Sequence, residues 1–510
     1  MSANLYAVFR QRFPSDLDTP FITNRDGTCV SYGDVEQQSA QIANLLHDTG
    51  LQPGDRLAAQ VEKSATVIIL YLACLRAGAT YLPLNTAYTG DELDYFLRDA
   101  APKLFVCDTA SQAEAEDKAT RYGISRCLTL GDNGEGSLTE HAVSLPTTFE
   151  TVSSAPNDMA AILYSSGTTG KPKGAILSHG ALAANATALH TAWRFEPEDI
   201  LLHALPIFHT HGLFVATNTV LMNGSGMIFH PRFDPSSVIS DFPKATVFMG
   251  MPTYYTRLLG EKSLTKDTCQ SVRLFVSGSA PLLNETFQAF TERTGHTIVE
   301  RYGMTEAGII TSAKPDKPRR AGTVGWPLDG VDMRVANDSD APVDAGQTGG
   351  VQIKGSSLFS GYWNKPEKTA EEFTTDGFFK TGDIGCYELD GQLTLIGRAK
   401  DMYISGGFNV FPKEVEQIID SMDGVGESAV IGYPHPDFGE CGMAIVVAEN
   451  NISLDVTDIK TALKSKVANY KAPKVVVQAP SLPRNAMGKV QKNVLLEAYR
   501  DQWDRYLTRN

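Results

Sequence analysis

Apolar and polar residues fall into alternating blocks over the first hundred positions. "RLAAQV" (56–61) reads as a strand, "SATVIILYLACLRAG" (64–78) as a helix and "TYLPL" (80–84) as a strand. "ELDYFLRDA" (92–100) and "KLFVCD" (103–108) repeat the helix–strand order. Strands alternating with helices predict parallel sheets covered by helices. From "GGVQIKG" (349–355) to "GQLTLIGRAKD" (391–401) the pattern changes to short alternating strands and turns, a β-rich module. A small α/β unit follows, with strands at "ESAVIGYP" (427–434) and "GMAIVVAE" (442–449) and a helix near "DIKTALKSKVANY" (458–470). The short polar "GRAKD" between packed units reads as a hinge. The expected fold class is α/β, divided into 1–397, a hinge at 398–401, and 402–510.

The apolar run "ATVIILYLACLRAGATYLPL" (65–84) is interrupted by Arg76, glycines and a proline. It reads as a buried helix and a strand rather than a membrane span. The N-terminal "MSANLYAVFRQRFPSDLDTPF" has no long apolar core and no obvious cleavage site, so no secretory signal is expected. Its two early arginines are a faint organelle-targeting pattern; a cytoplasmic location is the expectation.

Composition narrows the function. The 510 residues are 42% hydrophobic and 20% charged, the balance of a globular chain with a sizeable core. A net charge of -14 argues against nonspecific binding to nucleic acid or anionic membranes. Seven scattered cysteines, an odd number without a CxxC, fit a reducing compartment.

The chemistry begins at "YSSGTTGKPKGAILSHG" (164–180). Glycines let the backbone approach an anion and turn N–H groups toward it. Ser165, Ser166, Thr168 and Thr169 add donors, and Lys171 and Lys173 add charge. The loop is not a Walker P-loop, which needs G-x-x-x-x-G-K-[ST]. Ser165 stands where the first glycine belongs, and Pro172 follows Lys171. By itself the loop is also compatible with a hairpin bearing solvated lysines.

Its company decides. In order, the chain carries "YSSGTTGKPKG" (164–174), "LPIFHTHGL" (205–213), "SGSAPL" (277–282), "ERYGMTEAG" (300–308), "GYW" (361–363), "FFKTGDIG" (378–385), "GRAKDMYISGGFNVFPKEVE" (397–416) and "LPRNAMGKVQK" (482–492). This ordered set resembles the acyl-adenylate-forming superfamily of acyl- and aryl-CoA ligases, luciferases and peptide-synthetase adenylation domains, over nearly the whole chain.

The resemblance implies a large N-terminal domain, a small mobile C-terminal domain, and ATP, Mg²⁺ and coenzyme A as cofactors or co-substrates. Ser165, Ser166, Gly167, Thr168, Thr169, Gly170, Lys171 and Lys173 match its phosphate loop. Thr305 and Glu306 match positions for the α-phosphate and Mg²⁺, with Thr168 a second candidate metal contact. Tyr302 matches the ring that stacks on adenine. Gly278, Ser279 and Ala280, and Glu300 and Arg301, flank the nucleotide, and Asp383 and Arg398 match the ribose contacts. Lys489 resembles the lysine that stabilises the adenylation transition state. Lys400 is the implied hinge residue, and Ser405, Gly406 and Gly407 border the thiol channel. His209 matches an aromatic position beside the acyl pocket. A zinc reading of His209 and His211 has poor support from an i, i+2 pair alone.

"MGMPTYYTRLL" (249–259) resembles the acyl-pocket segment of malonyl-CoA synthetases. That implies a short dicarboxylic acid, malonate and also methylmalonate, with Arg257 clamping the second carboxylate and Ser277 and Met304 lining the pocket. The chain departs from the malonate pattern after "YGMTE", where it has "AGIITSAKPD". The alternatives are a ligase for a short or aryl monocarboxylate, an adenylation enzyme loading a carrier protein, and a nucleotide-binding scaffold without activity. Oligomeric state stays open.

Overall fold

The structure is a computed structural model of the chain. It describes residues 2–165, 172–449, 454–485 and 488–509. Four sheets form among them. The first has six strands in the order Arg126–Thr129, Leu104–Cys107, Arg56–Gln60, Thr80–Pro83, Met159–Ser165, Lys173–Ser178. All neighbours are parallel except the last pair, an antiparallel edge hairpin in which Ser165 stands opposite Lys173. The loop that opened the chemical argument connects these two strands.

The apolar segment expected at 64–78 is the helix Ala65–Ala77, buried nearly all round. Gly78 ends it at φ +72°, a left-handed turn that glycine adopts without strain. Arg76 is buried here because its guanidinium finds the carbonyls of Glu36 (2.7 Å) and Phe149 (2.9 Å) and the Ser39 hydroxyl (2.9 Å). Among the described residues no helix is long and apolar enough to cross a membrane. The seven cysteines are free thiols.

The second sheet has nine strands, and its central members Gly226–Phe229, Ile200–His203, Val247–Gly250, Leu274–Ser277 and Val299–Met304 run parallel. Ligand sites on such sheets form beyond the carboxyl ends of the strands. Those ends deliver Ala204 to His209, Gly250 to Pro252, Gly278 to Ala280, and Thr305 with Glu306. A four-stranded antiparallel sheet follows, in which Asp383 pairs across the strands with Arg398.

The C-terminal unit holds a five-stranded sheet. Strands Val425–His435 and Gly439–Ala448 are antiparallel, and Val475–Ala479 adds in parallel. Helix Pro412–Asp420 packs Val415 and Ile419 against it. Its apolar clusters run from Tyr403 onward, and those of the larger unit end by Leu395. The 3-10 turn Ala399–Asp401 lies between them.

Candidate active site

Both stems of the edge hairpin are held by one helix, Gly90–Ala100. Tyr164, before the loop, donates to Asp99 at 2.6 Å; Tyr95 donates to the carbonyl of Pro172, after it, at 2.7 Å. Ser166, Gly167, Thr168, Thr169, Gly170 and Lys171 lie outside the described residues. Lys173 is buried, its ammonium 2.8 Å from Glu372 and 4.2 Å from the centre of the Tyr362 ring. Its charge is thus paired with a carboxylate.

Glu306 is buried at the end of the strand Val299–Met304. Its Oε1 faces the hydroxyls of Tyr362 (3.0 Å) and Ser165 (3.2 Å). Among the described residues it forms no ion pair, and no cluster of three or more His, Cys, Asp or Glu side chains could hold a metal alone. A lone buried carboxylate without a cation fits Mg²⁺, which is bound through one or two carboxylates, waters and substrate phosphates. Thr305 is half-buried beside it.

Three residues form one polar group at the expected nucleoside position. Tyr302 donates to Asp383 Oδ2 at 2.6 Å, and Arg398 Nε lies 2.8 Å from Asp383 Oδ1. Ser279 is held at φ +78°, in the left-handed region, with its hydroxyl 3.2 Å from His211 Nδ1. Such strain in a non-glycine residue gathers at functional sites. A Cβ on Gly278 would stand 2.3 Å from the Arg301 guanidinium, so a larger residue there would displace that side chain. Ala280 follows it, half-buried. Glu300 turns a buried carboxyl, pushed up to about 8 by burial, toward the Gly322 amide at 3.3 Å.

Lys489 comes to this cleft from the C-terminal unit. Burial and then Arg398 bring its ammonium down to about 8, against the opposing pull of Asp383 and Glu306. Much of the residue is open to solvent along the cleft, but protein crowds the ammonium, and that crowding governs its charge. His209, half-buried, is held neutral, down to about 3, by burial and by the Lys489 and Arg301 charges. A Cβ built on Gly488 would stand 3.6 Å from Thr253, so the residue before Lys489 lies close to the helix Pro252–Leu259. Lys400 is exposed on the 3-10 turn. Ser405, Gly406 and Gly407 form a hairpin turn within the C-terminal unit, where the Gly406 amide donates to the Phe438 carbonyl at 2.8 Å and the Ser405 hydroxyl faces Cys441 Sγ.

The expected carboxylate clamp, Arg257, lies on the helix Pro252–Leu259. That helix buries Tyr254, Tyr255 and Leu258 and leaves Arg257 exposed on its flank, one turn on from Thr253. The buried cation of this region is Arg301. Burial pushes it down to about 9, and its Nε and Nη2 have no partner among the described residues. Ser277 Oγ, Thr210 Oγ1 and His211 Nε2 are likewise buried without partners. His211 opens a fully buried π-helix, His211–Thr217, a distortion frequent at functional sites. Met304 packs half-buried beside them. Buried polar atoms without partners are rare and call for an explanation.

Sequence reasoning missed four of these roles. Tyr362 was visible only as part of "GYW". Glu372, Tyr95 and Asp99 carry no local signal, because each meets its partner only after folding.

A large α/β unit followed by a small one, with a C-terminal lysine at the strand ends, is the arrangement of an adenylate-forming enzyme. The family models agree: "AMP-binding enzyme" matches residues 9–363, and "AMP-binding enzyme C-terminal domain" matches 414–489. The chain belongs to the AMP-binding enzyme family. A malonate–CoA ligase of Arabidopsis thaliana is 32% identical over 98% of this chain and 90% of its own. A feruloyl-CoA synthase of an Amycolatopsis species is 32% identical over 91% and 93%. The ATP-bound crystal structure of MatB from Rhodopseudomonas palustris is 48% identical, covers 99% of this chain and 100% of that one, and superposes with a TM-score of 0.96. The apo form of the same protein gives 0.85. The chain thus superposes more closely on the ATP-bound form than on the apo form.

Proposed function

We propose that the protein is an ATP- and Mg²⁺-dependent acid–thiol ligase. In this reading it adenylates a short dicarboxylic acid, malonate or methylmalonate, and transfers the acyl group to coenzyme A. The observation that carries the substrate is Arg301, a buried guanidinium whose Nε and Nη2 have no partner among the described residues, near Ser277 Oγ and His211 Nε2, which have none there either. Burying a charge alone is costly, and a bidentate carboxylate offsets that cost. An acid with a second carboxylate would bind Arg301 there while its first faces the α-phosphate. The Arabidopsis relative named malonate–CoA ligase supports the same choice.

The chemistry has two stages. The substrate carboxylate attacks the α-phosphorus of ATP and pyrophosphate leaves. Negative charge builds on the α-phosphate oxygens, where the Lys489 ammonium is in a position to stabilise it. Mg²⁺, when bound, neutralises phosphate charge, and Glu306 is the residue that would hold it, with Thr168 a second candidate. Thr305 reaches the α-phosphate, the 165–173 loop holds the outer phosphates, and Tyr302, Asp383 and Arg398 orient the nucleoside. In the second stage the coenzyme A thiol attacks the acyl carbon and AMP leaves. For this step a rotation about Lys400 withdraws Lys489 and brings the Ser405–Gly407 turn to the thiol path.

The test is AMP formation with ATP and Mg²⁺, with and without free coenzyme A, across malonate, methylmalonate, succinate, acetate, butyrate and benzoate. Turnover led by malonate or methylmalonate and dependent on free coenzyme A supports the reading. Turnover led by a monocarboxylate overturns the substrate assignment, and no thioester with free coenzyme A overturns the acceptor.

A further inference from the structure

The segment that carries Lys489 holds a second lysine three positions on. Lys492 Nζ lies 2.6 Å from Glu416 Oε1 and donates to the Val430 carbonyl at 3.0 Å. The same Glu416 oxygen accepts the Val430 amide at 2.8 Å. The Lys492 side chain is 19% exposed and that of Glu416 only 8%. A lysine in a solvated basic tail would look different. These bonds tie the start of the helix Lys492–Ala498 to the middle of the strand Val425–His435 and to the helix Pro412–Asp420.

A buried ion pair is weak evidence for stability, because desolvation offsets much of its attraction; fixing register is its better-attested use. Here the register concerns Lys489. Gln491 N–H bonds the Pro483 carbonyl at 2.8 Å, and Arg484 pairs with Val490 as a short antiparallel bridge. The Lys489 amide donates to Asn485 Oδ1 at 3.0 Å, and its carbonyl accepts the Asn485 amide at 2.9 Å. Arg484 also reaches Glu427 on the same strand that Lys492 grips. The chain on either side of Lys489 is therefore anchored to Val425–His435, by Arg484 before it and Lys492 after it.

We propose that Lys492 and Glu416 are positioning residues for Lys489. Their buried pair sets the reach of the catalytic lysine during adenylation and has no part in thioester formation. The proposal rests on the adenylating role given above to Lys489.

The two half-reactions separate it from a general structural role. The first is read by acid-dependent ATP–pyrophosphate exchange. The second is read by thioester formation from a chemically prepared acyl-adenylate and coenzyme A. Lys492→Ala is expected to lower the kcat of exchange roughly 10- to 100-fold, the scale of a small misplacement of a reacting group. It should leave the second half-reaction at the wild-type rate. Glu416→Gln, which keeps the shape, should act in the same direction, and Lys492→Arg should restore exchange. Equal losses in both half-reactions, or unchanged exchange in both variants, overturn the proposal. Lys489→Ala serves as the control. If it leaves exchange intact, the adenylating role of Lys489 fails first and the positioning role falls with it. If it abolishes exchange while Lys492→Ala leaves exchange at the wild-type rate, the positioning role alone fails.

Discussion

The hydroxyl of Tyr362 stands 3.0 Å from Glu306, the carboxylate proposed to hold Mg²⁺. On its other side it lies 2.7 Å from Glu372, which in turn pairs with Lys173. A phenol has one proton, so it donates to one carboxylate at a time and restrains both. Outer partners of metal ligands commonly matter 10- to 100-fold, so Tyr362→Phe is expected to raise the Mg²⁺ needed for half-maximal adenylation about 10-fold. Binding of Mn²⁺ with ATP, followed by electron paramagnetic resonance, should weaken in parallel. Unchanged metal dependence would remove Tyr362 from this role.

Lys489 supplies a pH signature. Its ammonium, brought down to about 8, is lost as pH rises through that value. The kcat/KM for ATP reports the free enzyme, so it should fall above pH 8. In kcat the same limb should lie at higher pH, because bound triphosphate favours the charged lysine. Thioester formation from preformed adenylate should lack this limb. A kcat/KM for ATP that is flat to pH 10 contradicts the assignment.

The helix Gly90–Ala100 is expected to act on ATP at a distance. Tyr95→Phe deletes the bond to Pro172 and costs about 1 kcal/mol of stability, the ordinary net worth of a hydrogen bond. Loosening one stem should raise the KM for ATP and leave the KM for the acid unchanged. Both constants come from one steady-state data set, and equal changes would reduce Tyr95 to a packing role.

Glu300 predicts a stability effect. Its folded-state pKa, about 8, is raised above the ordinary carboxyl value because burial disfavours the charge. Its contribution is fully present below pH 4.5 and is lost as pH rises through about 8. Glu300→Gln should remove that part of the fall in Tm between pH 5 and pH 9, which thermal unfolding across the range would measure. An unaltered slope would show that Glu300 does not titrate in this window.

The alternation of strands and helices was legible because it is local: the helix expected at 64–78 and the strands at 427–434 and 442–449 stand where patterning placed them. The arginine assignment was harder. "PTYYTRLL" is a helix, and its spacing of Tyr254, Tyr255 and Leu258 leaves Arg257 on its flank. "ERYGMT" is a strand in a covered sheet, so Arg301 is buried, and Glu300 beside it in sequence faces the other way, toward Gly322. The Lys173–Glu372 pair spans 199 positions, and no local pattern reports it.

The most direct test compares kcat/KM for malonate and butyrate in the wild type, Arg301→Met and Arg257→Ala. The account predicts that Arg301→Met loses malonate by about 10²-fold or more, the scale of a lost charge-assisted clamp, while butyrate is spared. It predicts that Arg257→Ala leaves the ratio unchanged. A ratio that holds in Arg301→Met, or collapses only in Arg257→Ala, would contradict the central claim that Arg301 selects the acid.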